Sequence, residues 1–237
     1  MVRGARRTSR SAFPRGPSRY AEEHGDGLIV VGKGEHGRLG RWLGEDTALE
    51  LVRVARVPVL AVAPGAAGLP RRAVVAVDFS DYSRDAAATV AGLLPHGAEL
   101  HLVHATWEVA GVEEREPDSW FVTYRAGARK RLAELAEEIR SRCDLRVFSE
   151  LVAGERAARD LLRYARGIGA DLIAAGSHGH GFFTRLTVGS VSSQLFREAR
   201  CSVLVTPPRS ESPELQNAAV AQAARPSSVH TQAPAAA

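Results

Sequence analysis

The chain has 237 residues, 45% hydrophobic and 24% charged, with a formal net charge of +4 and a pI near 9.5. That composition excludes low-complexity and fibrous classes, and no apolar run reaches the roughly 20 residues of a membrane span. Cys143 and Cys201 lie far apart and outside any CxxC, which excludes a disulfide framework or a zinc site built on paired cysteines.

Residues 1–17 are rich in Arg, Ser, Gly and Pro and hold five arginines without an acid. They carry the basicity, because the rest of the chain sums to about −1. Nucleic acid is therefore not an expected partner of the folded part. A disordered, solvated leader is expected instead, and the lack of an apolar signal core points to a cytoplasmic protein.

From Arg19 the chain matches a later part of itself. Between Arg19 and Pro64, 17 of 46 positions are identical to the residue 144 places further on. Arg19-Tyr20-Ala21 meets Arg163-Tyr164-Ala165, GLIVVG meets DLIAAG, and His36-Gly37 meets His180-Gly181. Only half a unit is repeated: the end of a helix, two strands and the helix between them. Gly32-x-Gly34-x-x-Gly37 mimics a dinucleotide fingerprint, which needs an uninterrupted helix next and an acid ending the following strand. Gly40, Gly44 and the strand end Val62-Ala63-Pro64 deny both. Glu35, Glu45 and Asp46 stand where Gly179, Gly189 and Ser190 stand in the later unit, and carboxylates there repel phosphate.

A linker, residues 65–70, follows. Ala73 to Val77 is a continuous apolar run, the mark of a strand buried on both faces, and ends at Asp78. Ser80 or Asp81 is expected to cap a helix running to Pro95. Leu100 to Ala105 is a second strand. After a loop with Pro117, Phe121, Tyr124, Ala128, Leu132, Leu135 and Ile139 keep helical spacing. Leu145 to Val152 alternates like an edge strand, and Ala158, Leu161, Leu162 and Ala165 line the next helix. Strand 171–175, a glycine loop, helix 190–199 and strand 202–206 complete the unit. From residue 209 the Ala/Ser/Pro/Gln tail has no period, and disorder is expected. Alternating strands and helices predict an α/β fold, an open parallel five-stranded sheet of order 3-2-1-4-5 with helices on both faces, Rossmann-like. The switch in strand order then falls between the strands ending at Asp78 and Gly176, where ligands bind in such sheets.

The loop between those last elements, Gly176-x2-Gly179-x9-Gly189-Ser190, can bring backbone close to a ligand and opens a helix whose first amides favour an anion. By itself it also fits a plain strand–loop–helix connection. The spacing resembles the nucleotide-binding signature of the universal stress protein family, and the resemblance runs from about Arg71 to Pro208 through VVAVDFS, LHLVHA and CSVLVTP. It implies the adenine nucleotide alpha hydrolase-like form of the fold, with 71–208 a complete domain and 18–64 the C-terminal half of a degenerate one.

The resemblance implies a nucleotide site at Val77, Asp78, Ala105, Ala175, Gly176, Gly179, Gly189, Ser190 and Val191. Amides of Gly179 and of the Gly189-Ser190-Val191 turn would meet phosphate, with Ser190 also capping its helix. Asp78 would accept from the base or ribose, or only cap the next helix. Ala105 stands where the family has valine against adenine, and Ala175 and Gly176 flank the ribose. The expected ligand is ATP, with or without Mg2+, in a regulatory stress-response protein. His178 and His180 lack a third ligand for a protein-held metal. Ser190–His178 lacks a nucleophile context, and a Walker lysine is absent. No catalytic residue is assigned, and slow ATP hydrolysis stays open. The alternative is an interaction module of the same fold that binds no nucleotide. In the family the last strand pairs across a two-fold axis or between tandem copies. Residues 202–206 are therefore expected to pair with 57–63 within the chain, or with another copy in a homodimer.

Overall fold

The structure, a computed structural model, describes residues 27–33, 45–107, 120–178 and 189–207. The leader, most of the first glycine loop, the Pro117 loop, Gly179, His180 and the tail from residue 209 lie outside the described residues.

Seven strands form one sheet: β1 (Ile29–Gly32), β2 (Val59–Val62), β3 (Arg72–Ala76), β4 (Glu99–Trp107), β5 (Arg146–Gly154), β6 (Leu172–Gly176) and β7 (Ser202–Thr206). Their order is β1-β2-β7-β6-β3-β4-β5. The expected five-stranded sheet is thus corrected to seven strands. The five strands after the linker stay contiguous, and two more join through β2. That junction is the antiparallel one; every other neighbouring pair is parallel. The physical reason is the outer edge of β7, whose amides and carbonyls β2 satisfies. Val59 lies opposite Val205, Leu60 opposite Leu204 and Ala61 opposite Val203.

The registers on either side of that junction match. Ile29 pairs with Val59 as Ile173 pairs with Val203, and Gly32 with Val62 as Gly176 with Thr206. The amide after each strand repeats the pattern, Lys33 N donating to Val62 O and Ser177 N to Thr206 O.

Strand alternation sorts the core into two layers. Val59, Ala61, Val74, Ile173, Val203 and Val205 face α1 (Glu45–Val54), α4 (Ala157–Gly167) and α5 (Ser190–Glu198). Leu60, Ala73, Val75, Leu172, Ala174 and Leu204 face α2 (Asp81–Leu93) and α3 (Trp120–Arg140). Phe196 of α5, 1% exposed, is among the larger contributors, at about 1.5–3 kcal/mol for one such side chain. Ser80 caps α2, its Oγ accepting from Ser83 N. The expected Ser190 cap is corrected: Gly189 occupies the cap position of α5 and Ser190 is the first helical residue. Small residues there let the helix start close to the sheet.

Two sets of polar contacts fasten the sheet, one to a helix end and one between strands. The ammonium of Lys33, 5% exposed, donates to Ala199 O at 2.5 Å, meeting the negative end of α5. At the amino ends of the strands Glu99 receives Arg72 Nε and Arg146, the latter at 2.7 Å. The hydrogen bond from Arg72 holds the Glu99 carboxyl below the usual carboxylate range, and burial opposes this.

Both contacts yield expectations. Lys33→Ala should lower stability by about 1.5–3 kcal/mol, the range for a hydrogen bond to a charged group, as read from urea denaturation. A carboxylate with a depressed folded pKa stabilises above its unfolded pKa, near 4.3, and that contribution is lost as pH falls through the folded value. Glu99→Gln should therefore be less stable than the parent at pH 7, and the two denaturation midpoints should converge on acidification.

Candidate functional site

All strands of the parallel part end on one side, and a cavity of about 340 Å3 opens there at the switch between β3 and β6. Val77 and Asp78 follow β3, His104 and Ala105 lie in the carboxyl half of β4, and Ala175 and Gly176 end β6. Gly189, Ser190, Val191 and Ser192 bring in the start of α5, while Ala157 and Leu161 present one face of α4. The structure thus gathers eight of the nine expected site residues around one cavity. The ninth, Gly179, lies outside the described residues.

The local chemistry of each wall follows from its backbone. Gly176 is packed so closely on α2 that a Cβ would sit 2.6 Å from Tyr82 Cβ and 2.9 Å from its carbonyl carbon. A side chain there would push β6 away from the helix. Gly189 donates its amide to Ser177 O at 2.7 Å, so the expected phosphate contact from that amide is corrected to a loop-closing bond. A Cβ on Gly189 would lie 3.3 Å from the same oxygen. The first helical bond of α5 runs from Ser193 N to Gly189 O. The amides of Ser190, Val191 and Ser192 precede it, and such first-turn amides have no carbonyl of their own helix. Ser192 Oγ donates to Gly176 O at 2.5 Å, tying the helix start to the strand end.

On the opposite wall, Asp78 Oδ1 accepts from the Ser80 amide at 3.0 Å and the Ser80 hydroxyl at 2.5 Å. The carboxylate thus braces a turn, while Ser80 does the capping. Phe79, between them, has φ +66, a left-handed conformation that costs a non-glycine residue about 1–3 kcal/mol. Its ring lies 4.6 Å from the His104 ring and 4.1 Å below the Arg131 guanidinium. His104 Nδ1 donates to Val77 O at 2.6 Å, and Nε2 lies 2.7 Å from Tyr124 Oη. Burial pushes the imidazole pKa down, against the Val77 carbonyl and Asp78. The ring is then neutral at pH 7, with its proton on Nδ1 and Nε2 accepting from Tyr124.

Sequence reading missed Ser83, His104, His178, Leu161 and Ser192 as lining residues. His104 immediately precedes Ala105, itself an expected site residue, a signal that was present. Helical periodicity places Leu161 on a buried face but does not say which end of the sheet that face meets. Ser177 Oγ and His178 Nδ1 are 2.8 Å apart. Among the described residues no group of three or more His, Cys, Asp or Glu could hold a metal. A second cavity, about 370 Å3, lies at the amino ends of β6 and β7, between Ala63–Ala66 and Arg166, Arg200 and Cys201. The carboxyl ends of α4 and α5 converge there, which disfavours a polyanion. The first cavity has the better chemistry for one: apolar walls for a ring, and helix amides at one end.

Comparison with known proteins agrees with this fold. The universal stress protein family matches residues 70–207. Universal stress protein Rv2005c of Mycobacterium tuberculosis is 32% identical over 183 residues, 75% of this chain and 61% of its own length. The chain thus spans about three fifths of the length of its mycobacterial relatives. A universal stress protein of Thermus aquaticus is 36% identical over 137 residues, 55% of this chain and 94% of its own length. Among solved structures, protein PA1789 of Pseudomonas aeruginosa PAO1, described as functionally unknown, superposes with a TM-score of 0.62. It is 19% identical, and the match covers 90% of this chain and 74% of that one, a likeness of fold alone. With a family match over more than half of its length, the chain belongs to the universal stress protein family.

Proposed function

We propose that the cavity at the β3–β6 switch binds ATP, and that the protein is a cytoplasmic regulator that does not turn the nucleotide over efficiently. One observation carries the reading: Asp78, Gly176 and the amide-bearing start of α5 converge on a single cavity at the carboxyl ends of the strands. Its volume of about 340 Å3 falls within the range for small-molecule sites, about 300–1,000 Å3. In this reading Val77, Ala105, Ala175 and Val191 enclose the base and ribose, and Asp78 accepts from them. The amides of Ser190 and Val191, with Gly179, take the phosphates. Mg2+ arrives on the phosphates and not through protein ligands.

The matching strand registers support reading residues 18–64 as half of a degenerate unit, joined by 65–70 to the complete unit 71–208. One observation favours a second reading, an interaction module without nucleotide. The earlier half extends the sheet through β2 and β7, and none of its described residues lines the cavity.

Two measurements decide between these. Denaturing purified protein and chromatographing the supernatant should release adenine nucleotide, and calorimetry should show ATP binding that Asp78→Ala weakens at least about tenfold, ~1.4 kcal/mol. No released nucleotide and no heat with millimolar ATP would leave the module. Deleting residues 1–66 should expose the edge of β7, so that two copies pair there and light scattering gives a doubled mass. Unchanged mass and solubility would remove the assembly role.

A further inference from the structure

Val77 and Asp78 form the β3 wall of the cavity, and contacts from outside that strand hold them in place. His104 Nδ1–H donates to the Val77 carbonyl at 2.6 Å and so fixes the peptide that enters Asp78. The same imidazole packs on Phe79 at 4.6 Å, the left-handed residue that leaves Asp78. The Val77 carbonyl can only accept, so the proton sits on Nδ1, and the Tyr124 hydroxyl, 2.7 Å from Nε2, donates to the bare nitrogen. A phenylalanine persists in the left-handed region only where its surroundings over-determine it. Here the imidazole and the Arg131 guanidinium both pack on the ring.

We propose that His104, held as the Nδ1–H tautomer by the Val77 carbonyl and anchored through Nε2 by Tyr124, is the positioning residue of the nucleotide site. By holding the peptide before Asp78 and the ring after it, His104 aims the Asp78 carboxylate and the Val77 backbone at the ligand. This rests on the nucleotide reading above. It goes further in assigning the aim of Asp78 to a side chain of the neighbouring strand and, through Tyr124, to helix α3. Ser80 braces the carboxylate but does not hold the preceding peptide.

The test compares His104→Leu, which keeps bulk but has no donor, with His104→Asn, whose amide N–H can replace Nδ1–H. Tyr124→Phe, which removes only the hydroxyl, is the third variant. Calorimetry with ATP on the full chain should show His104→Leu about tenfold or more weaker, His104→Asn recovering most of that loss, and Tyr124→Phe weakened by a smaller factor, at similar thermal midpoints. Amide hydrogen exchange over residues 77–83, measured without ligand, should accelerate about tenfold in His104→Leu and much less in His104→Asn. Equal losses in Leu and Asn, or parental affinity and exchange in Leu, would overturn the proposal. Should His104→Leu not fold, Tyr124→Phe decides by the same two readouts. A parent that binds no ATP sinks the nucleotide reading. The exchange comparison then still shows whether His104 holds the turn.

Discussion

The parallel pairing of β3 with β6 is the constraint on which the rest of the molecule hangs. Ala73, Val74 and Val75 lie beside Leu172, Ile173 and Ala174. The chain on one side of this seam proceeds outward through β4 and β5, and on the other through β7. Because the connections leave in opposite directions, no crossover covers the carboxyl end of the seam. The cavity is that uncovered place. Asp78, Gly176 and Ser190 are brought there by strands that end, and a helix that begins, at the same level.

Closeness is achieved by removing side chains and then tying the backbone. Gly176 lets β6 lie against Tyr82, and Gly189 turns its amide back onto Ser177. Ser192 bonds the carbonyl of Gly176 from the next turn. These bonds satisfy polar groups at the rim of the cavity, and they leave the following helix amides beside it. Across the seam the same economy is paired with strain. Asp78, Phe79 and Ser80 form a turn held by the carboxylate, by an aromatic ring in a left-handed residue and by a buried imidazole. Strained turns of this kind gather where geometry serves binding.

The far end of the sheet follows a different logic. β7 would be an exposed edge, and β2 covers it in antiparallel fashion about the Leu60–Leu204 pair. Lys33 then reaches across to the carbonyl of Ala199, which caps α5. Its counterpart 144 positions on is Ser177, which stands beside the cavity. The two related halves therefore put the residue after the glycine strand to opposite uses: one fastens the sheet extension, the other closes the site.

Local pattern was legible because it is short-range. The Ala73–Val77 run, the helical stripe of α3, the repeat and the glycine spacing each follow from residues close in the chain. They determine strands, helices and where strands end, since side-chain period and backbone freedom are local properties. Even the lining role of Asp78 and Gly176 comes from strand ends and a simple rule about parallel sheets. Tertiary structure alone decided that the sheet has seven strands and that Gly189 spends its amide on Ser177. It alone decided that His104 carries its proton on Nδ1, and that Phe79 sits in the left-handed region. Each of those depends on a partner brought near only by folding: Leu204 for Leu60, Val77 and Tyr124 for His104, Arg131 for Phe79. Periodicity tells which face a residue shows, but not what it will meet there.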